Sequence, residues 1–273
     1  MILAMTASNN LPPILRGKRH QDESAFTPES LLREARRQRR VVNALVPKVC
    51  VLDPDGDIAA RLQGDGRCTR DSTWACYHTA LYRFIEAGLE LGVVPSAVGA
   101  SFAVLVAEEL FASGCELLIS VTSAGQLVAT REPPYFVLIE SALRDEGTSY
   151  HYLPPSEFSR ASRSLLALLD GIFDGLRVPV DLGSVWTTDA PFRETEAAIA
   201  EMKLRGLLAV EMEAAALYAF AEARSKAVVC FAHVTNQMGA VEGDFEKGEA
   251  DGTVDALAVI AATAALFAGK PER

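Results

Sequence analysis

"LLAVEMEAAALYAFA" occupies residues 207–221 and sets two glutamates, Glu211 and Glu213, between two apolar runs. Without these charges the stretch reads as a short buried strand that hands over to a buried helix. Taking a carboxylate out of water is costly unless it is paired or hydrogen-bonded. Either groups inside the protein answer these acids, or a ligand does. The position favours a site, because ligands of α/β folds bind beyond the carboxyl ends of strands.

Outward from this stretch, continuously apolar runs alternate with helical periodicity. Strands are predicted at 48–53, 89–94, 116–121, 135–140, 180–188 and 227–235. Helices are predicted at 27–40, 100–114, 157–173, 194–206, from about 212, and at 253–268. The first of these helices carries Thr27 as N-cap, Pro28 at the first helical position and an arginine cluster at its end. This alternation defines an α/β domain whose sheet is covered on both faces. Residues 1–25 read as an irregular polar arm and 26–273 as one domain. The polar clusters "TSAG", "TTDAPFRET", "VEME" and "VTNQ" all fall at strand ends.

The bulk properties narrow the function class. A net charge of -10 and a pI near 5.0 argue against binding to nucleic acid or to anionic membranes. No apolar run approaches the roughly 20 residues of a membrane span, and the start "MILAMTASNNLPP" lacks the basic region of a signal peptide. The five cysteines are odd in number and form no CxxC, which fits a reducing cytoplasm. His20, His78, His151 and His233 are scattered without ligand spacing, so no metal is expected.

Five stretches, in order, share a wider pattern: "VCVLDPDGD" (49–57), "ISVTSAGQL" (119–127), "ALRDEGTSYHYLPP" (142–155), "GSVWTTDAPFRET" (183–195) and "VEMEAAALYAFA" (210–221). Together they resemble the nucleoside phosphorylase superfamily, which contains hexameric purine nucleoside phosphorylases, uridine phosphorylases and methylthioadenosine nucleosidases. The resemblance implies a single three-layer domain, a mixed central sheet flanked by helices. It implies cleavage of the N-glycosidic bond of a purine or pyrimidine nucleoside. Glu213 would accept both ribose hydroxyls, since a carboxylate offers two acceptor oxygens. Met212 would lie against the sugar, and Glu211 would support the pocket or reach the sugar as well. Phe192, Val210 and Asn236 would line the base, and Asn236 would take the catalytic position. Ser123 and Gly125 would hold phosphate, the possible co-substrate; no other cofactor is expected. A homo-oligomer, dimer or hexamer, in the cytoplasm completes the expectation, with a small-molecule nucleoside as partner and neither nucleic acid nor membrane.

The chain also departs from the family pattern. Leu52 and Gly56 stand where "G-D-P-x-R" has its glycine and arginine, and Ser120 and Thr79 stand where two further arginines are usual. Arg160, Arg163 and Arg193, or Arg16 and Arg19 of another subunit's arm, are the candidate replacements, each more simply read as a surface residue. Pro191 replaces the first aromatic of the base loop, leaving Phe192, and Asp189 reads as a loop anchor. Asn236 replaces an aspartate, and an amide cannot supply a titrating proton. The phosphate site is therefore expected to be atypical. A nucleosidase using water and a non-catalytic nucleoside-binding or scaffold protein stand as alternatives.

Overall fold

The computed structural model describes residues 11–238 and 242–268. Its organising element is β5 (Leu117–Gln126), which changes neighbour along its length. Its first half pairs in parallel with β1 (Val49–Asp53), from Val49↔Leu117 to Leu52↔Ser120. Its last two residues pair antiparallel with β9 (Ala209–Glu211), Gly125↔Val210 and Gln126↔Ala209. Along its other edge runs β10 (Ala227–Asn236), parallel throughout. Beyond β1 lie β4 (Leu89–Pro95), β3 (Tyr82–Glu86) and β2 (Cys68–Arg70). Beyond β10 lie β6 (Tyr135–Asp145) and β8 (Val180–Thr188), and β8 pairs back onto β9. The pairings β5–β10–β6–β8–β9–β5 thus close on themselves, while the β1 side stays open. With β7 (Phe158–Arg160) on β6, the sheet has ten strands. A crevice opens where β1 ends and β5 continues, leaving residues 121–124 without a strand partner on that edge.

Helices cover both faces. α3 (Ala100–Ala112) and α7 (Ala214–Arg224) pack on one face, where Leu118, Val185, Leu217 and Phe220 are buried together. α2 (Asp57–Gly64) and α8 (Thr253–Ala268) cover the other, over Val51, Ile119, Phe231 and Ile260. Full burial of each such side chain contributes about 1.5–3 kcal/mol. α1 (Pro28–Arg39) docks through Leu32 and Ala35, and the Thr27 hydroxyl accepts the Ser30 N–H at 3.2 Å, as the sequence leads one to expect. α4 (Ser149–Tyr152) carries the described end of the arm, where Lys18 Nζ lies 2.9 Å from His151 Nδ1. Among the described residues no helix is long and apolar enough to cross a membrane.

Three expectations need correction. The segment 157–173 is not one helix. Phe158–Arg160 pairs antiparallel with Leu143–Ser141, and the helix, α5, runs only from Arg163 to Leu169. The stretch "TSAG", expected beyond the end of a strand at 116–121, is itself strand, because β10 continues beside it as far as Asn236↔Gly125. The turn-rich "DPDGD" opens directly into α2, which the sequence pattern did not announce. The remaining helix, α6 (Glu196–Leu204), starts where expected, with the Thr195 hydroxyl capping the Ala198 N–H.

Candidate active site

The two glutamates of the opening stretch are answered differently. Glu211 ends β9 and is buried at 3% exposure. One oxygen accepts the Thr187 hydroxyl, and the other accepts the main-chain N–H groups of Glu213 at 2.7 Å and Ala214 at 2.8 Å. It therefore closes the first turn of α7, where N–H groups lack helical partners and a negative charge is favoured. Glu213, at 1% exposure, has one oxygen on the Gly99 N–H at 2.7 Å. Its other oxygen, Oε2, is buried and has no hydrogen-bond partner among the described residues. Gly99 (φ 87, ψ 151) sits in a backbone region that is essentially glycine's alone, which is how its N–H is turned toward the acid. Burial raises the pKa of both acids, and the charge of Glu211 raises that of Glu213 further. Three donors converge on Glu211 and favour its ionised form, while the Gly99 N–H and the Thr122 hydroxyl pull the pKa of Glu213 down against the effect of burial. Met212, between them, is half-buried.

The opposite wall is built from the end of β1. Asp53 is buried, and its oxygens accept the N–H groups of Gly56 at 3.1 Å and Ala59 at 2.9 Å, pinning the start of α2. Burial pushes its pKa up to about 7, against the pull of those two amides. Asp55, exposed at the tip of the same turn, reaches across to β5 and accepts the Ser123 N–H at 2.8 Å. Around this contact lies a cavity of about 20 Å³, lined by Asp53, Asp55, Asp57, Asp251, Ser123 and His233 among others, with no arginine in its lining. Arg160 and Arg163 are not part of it. Lys247 is bonded to Asp57. Among the described residues no group of His, Cys, Asp and Glu is arranged to hold a metal.

The third wall carries the residues expected at the base. Asn236 is buried; its Oδ1 accepts the Met238 N–H at 3.0 Å and its Nδ2 donates to the Thr235 hydroxyl at 3.3 Å. The Met238 sulfur lies over Gly125, where any Cβ would meet it, beside Val210 and Asn236. Val210 is buried on β9, next to Trp186 in the ladder. Phe192 is on a short 3-10 turn, Pro191–Arg193, and its side chain is 100% exposed, so it stands away from these groups. His233 is stacked on Phe136 at 4.4 Å, and burial lowers its pKa to about 4, which suits a neutral strand histidine. Asp189 accepts the Gly147 N–H at 2.8 Å and so ties the 183–195 loop to the end of β6.

Glu211, Met212, Glu213, Ser123, Gly125, Val210 and Asn236 thus converge on the rim of the closed strand ring, and Phe192 lies apart. Sequence reasoning did not single out Asp55, Thr187, Gly99 or Met238. The only signal for Asp55 was an extra acid in the "DPDGD" turn.

With this geometry in view, comparison with known proteins is direct. Residues 58–268 match the family model of the phosphorylase superfamily, and the chain belongs to that family. A guanosine phosphorylase of Halorubrum lacusprofundi is 26% identical over 214 residues, 75% of this chain and 88% of that protein. A DeoD-type purine nucleoside phosphorylase of Colwellia psychrerythraea is 28% identical over 166 residues, 60% of this chain and 69% of that one. Among solved structures, a uridine phosphorylase of Vibrio fischeri superposes with a TM-score of 0.69 at 21% identity, covering 83% of this chain and 93% of the other. A purine nucleoside phosphorylase of Toxoplasma gondii superposes with a TM-score of 0.68 at 16% identity, over 82% and 93%. The mixed α/β fold with its flanking helices is the fold of these enzymes.

Proposed function

We propose that this protein cleaves the N-glycosidic bond of a nucleoside, with a purine nucleoside as first choice, and that its phosphate site is atypical. The observation that carries the reading is the bare, buried Oε2 of Glu213. A buried carboxyl oxygen without a donor costs stability, and a ribose hydroxyl is a donor of the right kind. With Oε1 held by Gly99, Glu213 is positioned to accept from the sugar diol, and Met212 to lie against the ring. Glu211 acts as a positioning residue, holding the first turn of α7 in place. Asn236 still has one amide hydrogen beyond the one given to Thr235, which suits it to hold the edge of a leaving base. Phe192 reaches a base only if its loop folds inward.

Both sequence relatives are named for purine substrates, which supports the ranking of the base. The missing arginines at Gly56 and Ser120 support the atypical anion site. Cleavage passes through a transition state with positive charge on the ribose, which an ionised Glu213 close to the sugar stabilises. We further propose a cytoplasmic homo-oligomer. The test is base release from inosine, guanosine, adenosine and uridine, with and without inorganic phosphate, by the native protein and by Glu213→Ala. Release from a purine nucleoside by the native protein alone is the expected result. No release from any nucleoside under either condition overturns the reading.

A further inference from the structure

We propose that Asp55 sets the phosphate affinity of this site by occupying the seat that phosphate would take at Ser123. The inference rests on the reading of residues 119–127 as the anion-binding segment. The edge of β5 between Ser120 and Gly125 has no strand partner, so its N–H groups are available to a ligand. The Ser123 N–H is not: it donates to Asp55 Oδ2 at 2.8 Å, across 68 residues of sequence. An anion at Ser123 needs that same hydrogen, and must first displace a carboxylate whose bond is charge-assisted.

Charge acts in the same direction. The lining of the cavity carries Asp53, Asp57 and Asp251 besides Asp55. Of these, Asp53 is satisfied by two main-chain amides and Asp57 by Lys247. Asp55 is the acid that sits on the strand edge itself. It is exposed and belongs to no core cluster, so its side chain can be replaced without opening the interior.

The test is calorimetric titration of inorganic phosphate into the native protein, Asp55→Ala, Asp55→Asn and Asp251→Asn. Asp55→Ala should bind phosphate about 10- to 100-fold more tightly, the range of one charge-assisted bond removed from competition. Asp55→Asn should gain less, because its carbonyl can still accept the Ser123 N–H. Asp251→Asn removes a charge from the same lining without freeing that hydrogen and should gain less than about 3-fold. Unchanged phosphate affinity in both Asp55 variants overturns the proposal. So does an equal gain in Asp251→Asn, which would make net charge rather than occupancy the cause. The titration needs no nucleoside. Tighter phosphate binding by Asp55→Ala without base release from any nucleoside would leave this inference standing and remove the proposed activity. Base release with unchanged phosphate affinity would do the reverse.

Discussion

Glu213 and Asp55 stand on facing walls of one crevice, and each takes a main-chain N–H with one carboxylate oxygen. Their surroundings differ. Glu213 is buried and its second oxygen is left bare. Asp55 is exposed, and its bond uses up a donor on a strand edge that nothing else pairs. On the first wall the protein holds an acceptor ready; on the second it consumes a donor. The same type of contact therefore prepares one half of the site and closes the other.

The sharpest way to break this contrast is through Glu211, which the geometry assigns to stability rather than to ligand. Glu211→Ala strands the Thr187 hydroxyl and two helix-end N–H groups. We expect a loss of about 3 kcal/mol, seen as a fall in Tm of roughly 6–12 °C. An unchanged Tm would mean that Glu211 is held for a ligand instead. Next in size, Glu213→Ala should weaken a non-hydrolysable nucleoside analogue about 100-fold in calorimetry while melting near the native temperature. Equal losses of stability and of affinity would make Glu213 structural and erase the difference between the two acids.

A third expectation concerns pH. Glu213 and Asp53 both have carboxyl pKa values raised by burial, Asp53 to about 7. The folded state thus binds more protons than the unfolded state above the ordinary carboxylate range. This contribution to stability is fully present below the unfolded pKa values and is lost as pH rises through the folded ones. The ligand-free protein should lose on the order of 2 kcal/mol between about pH 5 and pH 8. Glu213→Gln should flatten part of that slope, Asp53 and Glu211 keeping the rest. A slope of opposite sign in denaturant titrations would contradict the assignment. The smallest effect is expected at Gly125, where an added Cβ meets the Met238 sulfur. Because a thioether end moves easily, Gly125→Ala should cost about 1 kcal/mol or less by melting, while shifting Met238 in a crystal structure of the variant. A larger loss would show that Met238 is locked in place.

Much of this architecture was legible in the sequence, for identifiable reasons. β1, β5, β6 and β10 each carry a continuous apolar run, at 49–52, 117–119, 135–139 and 227–232, because both faces of the sheet are covered there, and α1 announces itself with its Thr27 cap. α2 was hidden because its first amides are capped from upstream, the Ala59 N–H going to Asp53 Oδ2, while the residue before it is Gly56. β7 was read as helix because three residues paired to β6 leave no period of their own. In the site, the spacing of Glu211 and Glu213 showed that something must answer them. It could not show that Thr187 and the helix end answer one and Gly99 only half of the other. The reach of Asp55 to Ser123 depends on where β1 stops beside β5, and no local pattern encodes that.

The turn that carries Asp55 also limits what can stand beside it. Gly56 holds φ 84, and a Cβ there would come within 3.3 Å of the Ser96 hydroxyl. An arginine placed at position 56 would force a bulky residue into a left-handed conformation, at about 1–2 kcal/mol. A cation therefore cannot be added to this turn by one substitution without a destabilising step. The backbone of residues 54–57 works as a ratchet, holding the edge of the crevice in its acidic form.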